Sequence, residues 1–569
     1  MTERLGTQNA FTELQRTATE RWERLWNGDL LVVSVQVDSS SVAKGAPRVL
    51  AACREALEGT GAVVREVSGN GAMWMEPAVE IKRPGEPPIV YGWITPEDVP
   101  ALLAGQLQER AVGVRGPAAF SGIPPLSEHP FFKHQLRLVM EDFGVIEPES
   151  IEDAIARGAY SALAKVLFEM TPEEAIAEVT AANLRGRGGA GFPAGIKWES
   201  GRKARNRPKF VVVNSHEGEP NVYKDRRIHE GDPHKILEGM LISSVVCGAE
   251  RAYNYIGGEY PLAIRRFRKA VADAERLGLI GDNILGSGKS VEVRVRTGGG
   301  AYICGEGSAL MYSVMGVRGQ PRTKPPRSVE EGLWKRPTIL NNTETLANVP
   351  NIINRGGEWF SQIGTSNSSG TKMMTVQGPL KHVGLVEARM GITMRTLIEE
   401  VWGGMRDGHV FRGVQTGGVS AGPITEDQLG YAVDFDSMTE IGGMLGSGGF
   451  VVFDQHVCPV DFSRYLTAFN RVESCSKCVP CHRGNPALVE IIDRIRLGGG
   501  AVEDLSLMER TSKHIIDLSL CGLGQVAPMP LLGMMKMYPQ DFLDHIERHV
   551  CAAGACPISK PAVLATAAD

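Results

Sequence analysis

Seven of the ten cysteines fall between Cys458 and Cys556, and three of them follow the spacing Cys475-x-x-Cys478-x-x-Cys481, with Cys521 forty residues further on. The other three, Cys53, Cys247 and Cys304, are scattered. The start, MTERLGTQNAFTELQRTATERWERLW, lacks the apolar middle of a signal peptide, and no apolar run reaches membrane-spanning length. A soluble cytoplasmic protein is therefore expected. In that compartment a dense cysteine cluster indicates metal or catalysis rather than disulfides. Three thiolates at this spacing can converge on one cluster face while a distant fourth closes it, whereas zinc more often takes two separated pairs. The pattern predicts a [4Fe-4S] cluster on Cys475, Cys478, Cys481 and Cys521.

Backbone freedom is the second constraint, because 67 glycines and 33 prolines exceed the usual share. They concentrate in loops. Arg185-Gly-Arg-Gly-Gly-Ala-Gly-Phe-Pro-Ala-Gly195 carries five glycines in eleven residues. Its amides can approach an anion unobstructed, and Arg187 and Lys197 supply positive charge, so a phosphate group is the natural guest. A helix precedes this loop, unlike the strand that introduces a dinucleotide fingerprint. Asn214-Ser-His-Glu-Gly-Glu-Pro220, after the strand pattern KFVVVN, crowds carboxylates, an amide and His216 at a strand end, which suits a polar heterocycle or sugar chain. A solvated acidic turn is the alternative. Gly298-Gly-Gly-Ala-Tyr-Ile-Cys-Gly-Glu306 repeats the strand-then-glycine-loop arrangement, with Asn341-Asn-Thr-Glu-Thr345 further on. Gly286-Ser-Gly-Lys-Ser290 imitates a P-loop end, but Asn283 replaces the first glycine and a strand follows, so an ordinary turn is expected.

Residues 1–27 read as a helical arm with a sparse apolar stripe, and 28–110 as a small α/β domain followed by a Gly/Pro-rich linker. Thr171, Pro172 and Glu174 mark a capped helix start. With 61 basic and 66 acidic residues, no nucleic-acid footprint exists.

Taken together, LRGRGGAGFPAGIKW, NSHEGEP, YKDR, GGGAYICGEG, KPP, NNTETLANVP and ESCSKCVPC resemble the flavin-bearing, NADH-oxidising subunit of respiratory complex I. Diaphorase subunits of NAD-linked hydrogenases and formate dehydrogenases, and flavin subunits of electron-bifurcating enzymes, belong to the same family. The resemblance spans roughly residues 130–550. It implies FMN around Gly186, Arg187, Gly188, Gly189, Lys197, Asn214, His216, Glu217, Tyr302, Gly305, Glu306, Asn341, Asn342 and Thr345. It further implies NAD(H) over the flavin, with Phe192 beside the nucleotide and Glu219 positioning it, and other redox subunits as partners. No catalytic side chain is expected, because hydride passes to the flavin itself. Electron bifurcation is compatible with the resemblance but not specified by it.

The implied fold class is α/β multidomain, divided as a thioredoxin-like domain (28–110), a Rossmann-like FMN domain (111–370), a β-grasp, SLBB-like insert (371–453), a helical [4Fe-4S] domain (454–557) and a tail (558–569). The thioredoxin-like domain resembles one that carries a [2Fe-2S] cluster elsewhere in the family, yet LLVVSVQVDSSS and VSGNGAMWMEP contain no cysteine, so a scaffold or docking role is expected. Cys53 is expected to be a buried packing residue. His545-x5-Cys551-x4-Cys556 is similar to the zinc-binding ending of the bifurcating branch, with Cys458 as the fourth ligand; free thiols are the alternative. His216 and Gly307 stand where the family usually has carboxylates, and Ser200 and Arg327 where it commonly has Phe. These departures leave NAD(H), NADP(H) and a structural relay without pyridine nucleotide all open.

Overall fold

The computed structural model describes residues 4–559; most of the expected tail lies outside the described residues. Three sheets organise the chain. The first contains β1 (Val32–Gln36), β2 (Val63–Val67), β3 (Val79–Lys82), β4 (Ile89–Tyr91) and β5 (Ala111–Val114), in the order β2-β1-β3-β4-β5. Helix Ala46–Ala56 makes the crossover that the parallel β1–β2 pair requires and buries Val49, Leu50 and Cys53. The sheet does not end where the sequence reading places the linker: β5 lies in that Gly/Pro-rich segment and pairs antiparallel with β4. Four residues with a central glycine, AVGV, carry too little alternation to mark an edge strand.

The second sheet is wholly parallel, β8-β7-β6-β9, formed by β6 (Phe210–Ser215), β7 (Arg251–Gly257), β8 (Glu292–Gly298) and β9 (Thr338–Asn342). Val211, Val212 and Val213 are fully buried, as expected of a strand covered on both faces. The chain moves outward from β6 through β7 to β8 and then returns to place β9 on β6's other side. The crevice between the carboxyl ends of β6 and β9 is thus a topological switch point, where open α/β sheets bind ligands. Helix Pro172–Ala181 starts at the expected capping box: the Glu174 amide donates to Thr171 Oγ1 (3.2 Å), and the Thr171 amide to Glu174 Oε2 (2.7 Å). The P-loop-like stretch is a turn leading into β8.

The third sheet, order β11-β10-β14-β12-β13, contains β10 (Thr371–Gln377), β11 (Leu385–Arg389), β12 (Phe411–Gln415), β13 (Pro423–Ile424) and β14 (Gly449–Asp454). Beyond it, helices Pro459–Glu473, Val479–Arg496, Val502–Leu518 and Met529–Met537 pack around Leu488, Ile492, Met508, Leu531 and Met534. Among the described residues no helix is long and apolar enough to cross a membrane.

The N-terminal helix Gln8–Asn27 docks on this chain itself: Phe11, Leu14 and Ala18 enter the main core, and the Arg65 guanidinium lies 5.2 and 5.4 Å from the rings of Trp22 and Trp26. The cysteine-free loops of the first sheet are also buried. Asp38 pairs with Arg227 of helix Lys224–Gly231 at 2.5 Å, and Ser40 Oγ, which accepts from Arg227 (3.0 Å), donates to Glu76 (2.7 Å). This polar joint fixes the first sheet to the second. Replacing Arg227 with Met leaves Asp38 buried without its cation, so a loss of about 3–5 kcal/mol is expected, read as a lowered urea midpoint.

Candidate functional site

The glycine loop joins helix Pro172–Ala181 to helix Ala194–Lys203 as a small clasp. The Gly186 amide donates to the Phe192 carbonyl (2.9 Å), and Arg185 bridges Pro193. Gly189 and Gly191 have φ of 121° and 63°, in the region that side chains avoid. A Cβ on Gly188 would stand 3.1 Å from Asn342 Cβ. Gly188, Gly189 and Ala190 thereby expose backbone to a cavity of about 370 Å³ at the β6–β9 crevice. Gly417, Ser420, Met444, Gly446 and Ser447 close it from the third sheet, and Gly522, Leu523 and Val526 from the C-terminal helices.

Arg187 behaves differently from the expectation that its charge faces a phosphate. Its fully buried guanidinium donates to the carbonyls of Arg185 (2.8 Å), Ser369 (2.6 Å) and Thr371 (3.2 Å), while its amide donates to Thr345 Oγ1 (2.8 Å). It therefore braces the loop from behind. Lys197 Nζ donates to the Leu340 carbonyl (2.6 Å), and burial, with Lys324 nearby, pushes its ammonium down to about 8. Gly186, Phe192, Lys197, Asn341 and Thr345 support the cavity without being part of its wall.

The acidic turn after β6 forms the opposite wall. Glu217 accepts the amides of Asp225 and Arg226 at 3.1 Å each, capping helix Lys224–Gly231. Glu219 accepts from the Tyr302 hydroxyl and the Val419 amide, both 2.7 Å. Burial lifts both carboxyls to about 7, with Asp225 adding repulsion at Glu217. Asn214 Nδ2 donates to the Gly305 carbonyl (2.9 Å), and Asn342 Nδ2 to Asp225 (2.7 Å). His216 is 5% exposed and lines the cavity, and neither ring nitrogen makes a hydrogen bond of normal geometry. Such orphaned nitrogens, with those glycine amides, fit a polar ligand that completes the wall.

Glu306 lines the cavity but also caps helix Gly307–Val314, accepting the amides of Ser308 (2.9 Å) and Ala309 (3.0 Å). Ser200 Oγ is turned back to its own helix, donating to Ile196, and Arg327 is exposed; neither lines the cavity. Asp225 and the loops at 417–420 and 444–447 are wall residues that the sequence reading did not single out. YKDR and the paired glycine runs GGVSAG and GSGG were the available signals.

Cys475, Cys478, Cys481 and Cys521 line one small cavity with Pro321 and Lys477. Cys478 and Cys521 each precede a helix, Val479–Arg496 and Gly522–Val526, whose amino ends favour thiolate charge. Ser476, at φ 63°, turns the chain between the first two cysteines, and Asn485 Nδ2 donates to Cys481 Sγ (3.4 Å). Four convergent thiols in no disulfide suit an iron–sulfur cluster. Ile303 and Leu523 line both this cavity and the one beside β6.

A third group, Cys458, His545, Cys551 and Cys556, is buried, with ligand atoms all within 4.8 Å of one another. Cys458 Sγ lies 3.6 Å from His545 Nε2 and from Cys556 Sγ. His545 Nδ1 is 2.7 Å from the Asp541 carbonyl, which only accepts, so Nδ1 carries the proton and Nε2 faces the thiols.

Two family descriptions match this chain: "Nuo51 FMN-binding domain" over residues 179–351 and "NADH-ubiquinone oxidoreductase-F iron-sulfur binding region" over residues 461–545. NADP-reducing hydrogenase subunit HndC of Solidesulfovibrio fructosivorans is 45% identical over 424 residues, covering 74% of this chain and 86% of that protein. The F 2 subunit of NADH-quinone oxidoreductase from Rhizobium meliloti (strain 1021) is 46% identical over 396 residues, covering 70% and 94%. The crystal structure of an NAD+-reducing [NiFe]-hydrogenase in the H2-reduced state matches with TM-score 0.65 and 23% identity over 95% of this chain and 90% of that one, a likeness of fold.

Glu217 and Glu219 hold protons more tightly in the fold than at their ordinary value of 4.5. Their contribution to stability is complete below that pH and is lost as pH rises through about 7. Infrared titration of flavin-free protein is expected to show carboxylic-acid absorption of Glu217, Glu219 and the likewise buried Glu238 vanishing near pH 7, with one component absent in Glu219→Gln.

Proposed function

The chain belongs to the family of flavin-bearing, NADH-oxidising subunits found in complex I and in NAD(P)-linked hydrogenases, and from that premise we propose how its residues serve the function. It is an FMN and [4Fe-4S] electron-transfer subunit of a multisubunit oxidoreductase, acting with other redox subunits. The observation that carries the residue-level reading is the pair of cavities sharing Ile303 and Leu523.

FMN occupies the cavity beside β6. When bound it takes two electrons from a nicotinamide nucleotide and releases them singly, which a cluster requires. Backbone of Gly188 and Gly189, braced by Arg187, Gly186 and Thr345, would hold its anionic end. Asn214, His216, Glu217, Gly305 and Asn342, which line the cavity, would supply its polar contacts, with Asn341 and Lys197 behind them. Glu219 is held by Tyr302 and Val419 at the wall and orients the nucleotide; Glu306 and Phe192 flank its approach. Cys475, Cys478, Cys481 and Cys521 carry the cluster.

The sheet orders support a division into a thioredoxin-like unit that continues through β5, a Rossmann-like FMN unit from the end of β5 to residue 370, a β-grasp unit over 371–453 and a helical unit over 454–557. The first has no cluster cysteines and acts as a scaffold through Asp38 and Arg227. The closed one-His, three-Cys set suits structural zinc. Ten cysteines, none in a disulfide, suit the reducing cytoplasm. NAD(H) is the donor the family implies, and the absence of a carboxylate at Gly307 keeps NADP(H) as the second candidate.

Anaerobic stopped-flow mixing of flavin- and cluster-loaded protein with NADH, then NADPH, is the test. Flavin bleaching by one nucleotide is expected and identifies the donor. No bleaching by either, with FMN bound, would overturn the diaphorase reading in favour of a relay fed by a protein partner. Cys478→Ser is expected to lose the cluster signal while flavin bleaching survives.

A further inference from the structure

We propose that His409, Asp454 and His456 form a solvent-open site for a first-row divalent transition cation of the imidazole-binding class, Zn2+ or Ni2+. Phe411 at the start of β12 pairs with Asp454 at the end of β14, so the residues flanking that pair meet at one sheet edge. The three side chains offer ligand atoms within 4.8 Å of one another. His409 Nδ1 lies 2.5 Å from Asp454 Oδ2, and the two imidazole rings are 6.1 Å apart at 85°.

The framework is set before any ion arrives. Asp454 Oδ1 accepts the His456 amide (3.0 Å), which fixes the carboxylate and turns Oδ2 toward His409. Gln455 bridges the same edge, donating to the Gly408 carbonyl (2.9 Å) and accepting the Val410 amide (2.7 Å), so the residues on both sides of His409 are tied to the end of β14. Ligands held this way lose little freedom on binding.

The donor set decides the cation. Two imidazoles and one carboxylate suit Zn2+ and Ni2+, whereas Mg2+ and Ca2+ favour all-oxygen shells. Asp454 is buried, and among the described residues its ion-pair partner is His409 rather than a lysine or arginine. A divalent ion would therefore supply the charge its carboxylate lacks. His456 is exposed and His409 half-buried, which leaves coordination positions to water. The site is separate from Cys458, whose buried thiol faces His545 and Cys556. An ion here would pin the 408–410 turn to the segment entering helix Pro459–Glu473.

The test is an anaerobic calorimetric titration of the full, cofactor-loaded chain with Ni2+ alone, after its resident metal content has been measured. One Ni2+ per chain beyond the resident metals is expected, with a rise in Tm. His456→Ala alters an exposed ring and should keep the fold; it and Asp454→Asn are each expected to weaken that binding by about tenfold or more and to abolish the Tm rise. No additional Ni2+ on the native chain, or Ni2+ binding unchanged in both variants, would overturn the site.

Discussion

A two-electron carrier and a one-electron carrier must sit close enough to exchange electrons, yet apart enough to keep their own surroundings. Ile303 and Leu523 meet that constraint by lining both cavities. Ile303 lies in the short helix Tyr302–Gly305 after β8, and Leu523 in the helix that Cys521 begins. Any shift of the C-terminal helices against the parallel sheet would thus open the walls of both cavities together. In the proposed reading this adjacency would couple the two redox sites mechanically as well as electronically.

That coupling needs a rigid frame, which buried charge supplies. Lys372 on β10 donates to Glu344 (2.5 Å), and Lys224 lies 2.6 Å from Asp225 and 3.2 Å from Glu344. These residues follow β9, begin the helix after the acidic turn, and start the third sheet. Their buried network ties those three segments together behind the cavity beside β6, which Asp225 itself lines. Glu344 is held below the ordinary carboxylate range by Lys372 and Lys224 despite burial, so the carboxylate is retained for structure. Glu217 and Glu219, lacking so close a cation, go the other way and hold protons near neutrality. Neighbouring carboxyls are thereby assigned to framing and to the ligand wall.

Much of this was legible in residues. Cysteine spacing identified four thiols that do share a cavity, and glycine density marked the loop whose positive φ values require glycine. The direction of the Arg187 side chain was not legible, because a loop arginine beside glycines reads as a phosphate ligand until Ser369 and Thr371 are seen to take it. Strand β5 hid in a linker composition, since a short edge strand needs little apolar periodicity. The 417–420 loop entered the wall through tertiary contact between sheets, and Asp225 through Asn342 at the end of β9, neither of which a local pattern encodes. His216 was visible as a departure, but its orphaned nitrogens appear only once burial is known.

The most direct test of the account is rapid-freeze EPR of the anaerobic, flavin-loaded protein after mixing with its nucleotide donor, alongside the flavin-free protein. The shared wall predicts a reduced-cluster signal that rises with flavin reduction and is missing without flavin. A signal equally fast in flavin-free protein, or none in flavin-loaded protein whose cluster dithionite still reduces, would contradict it.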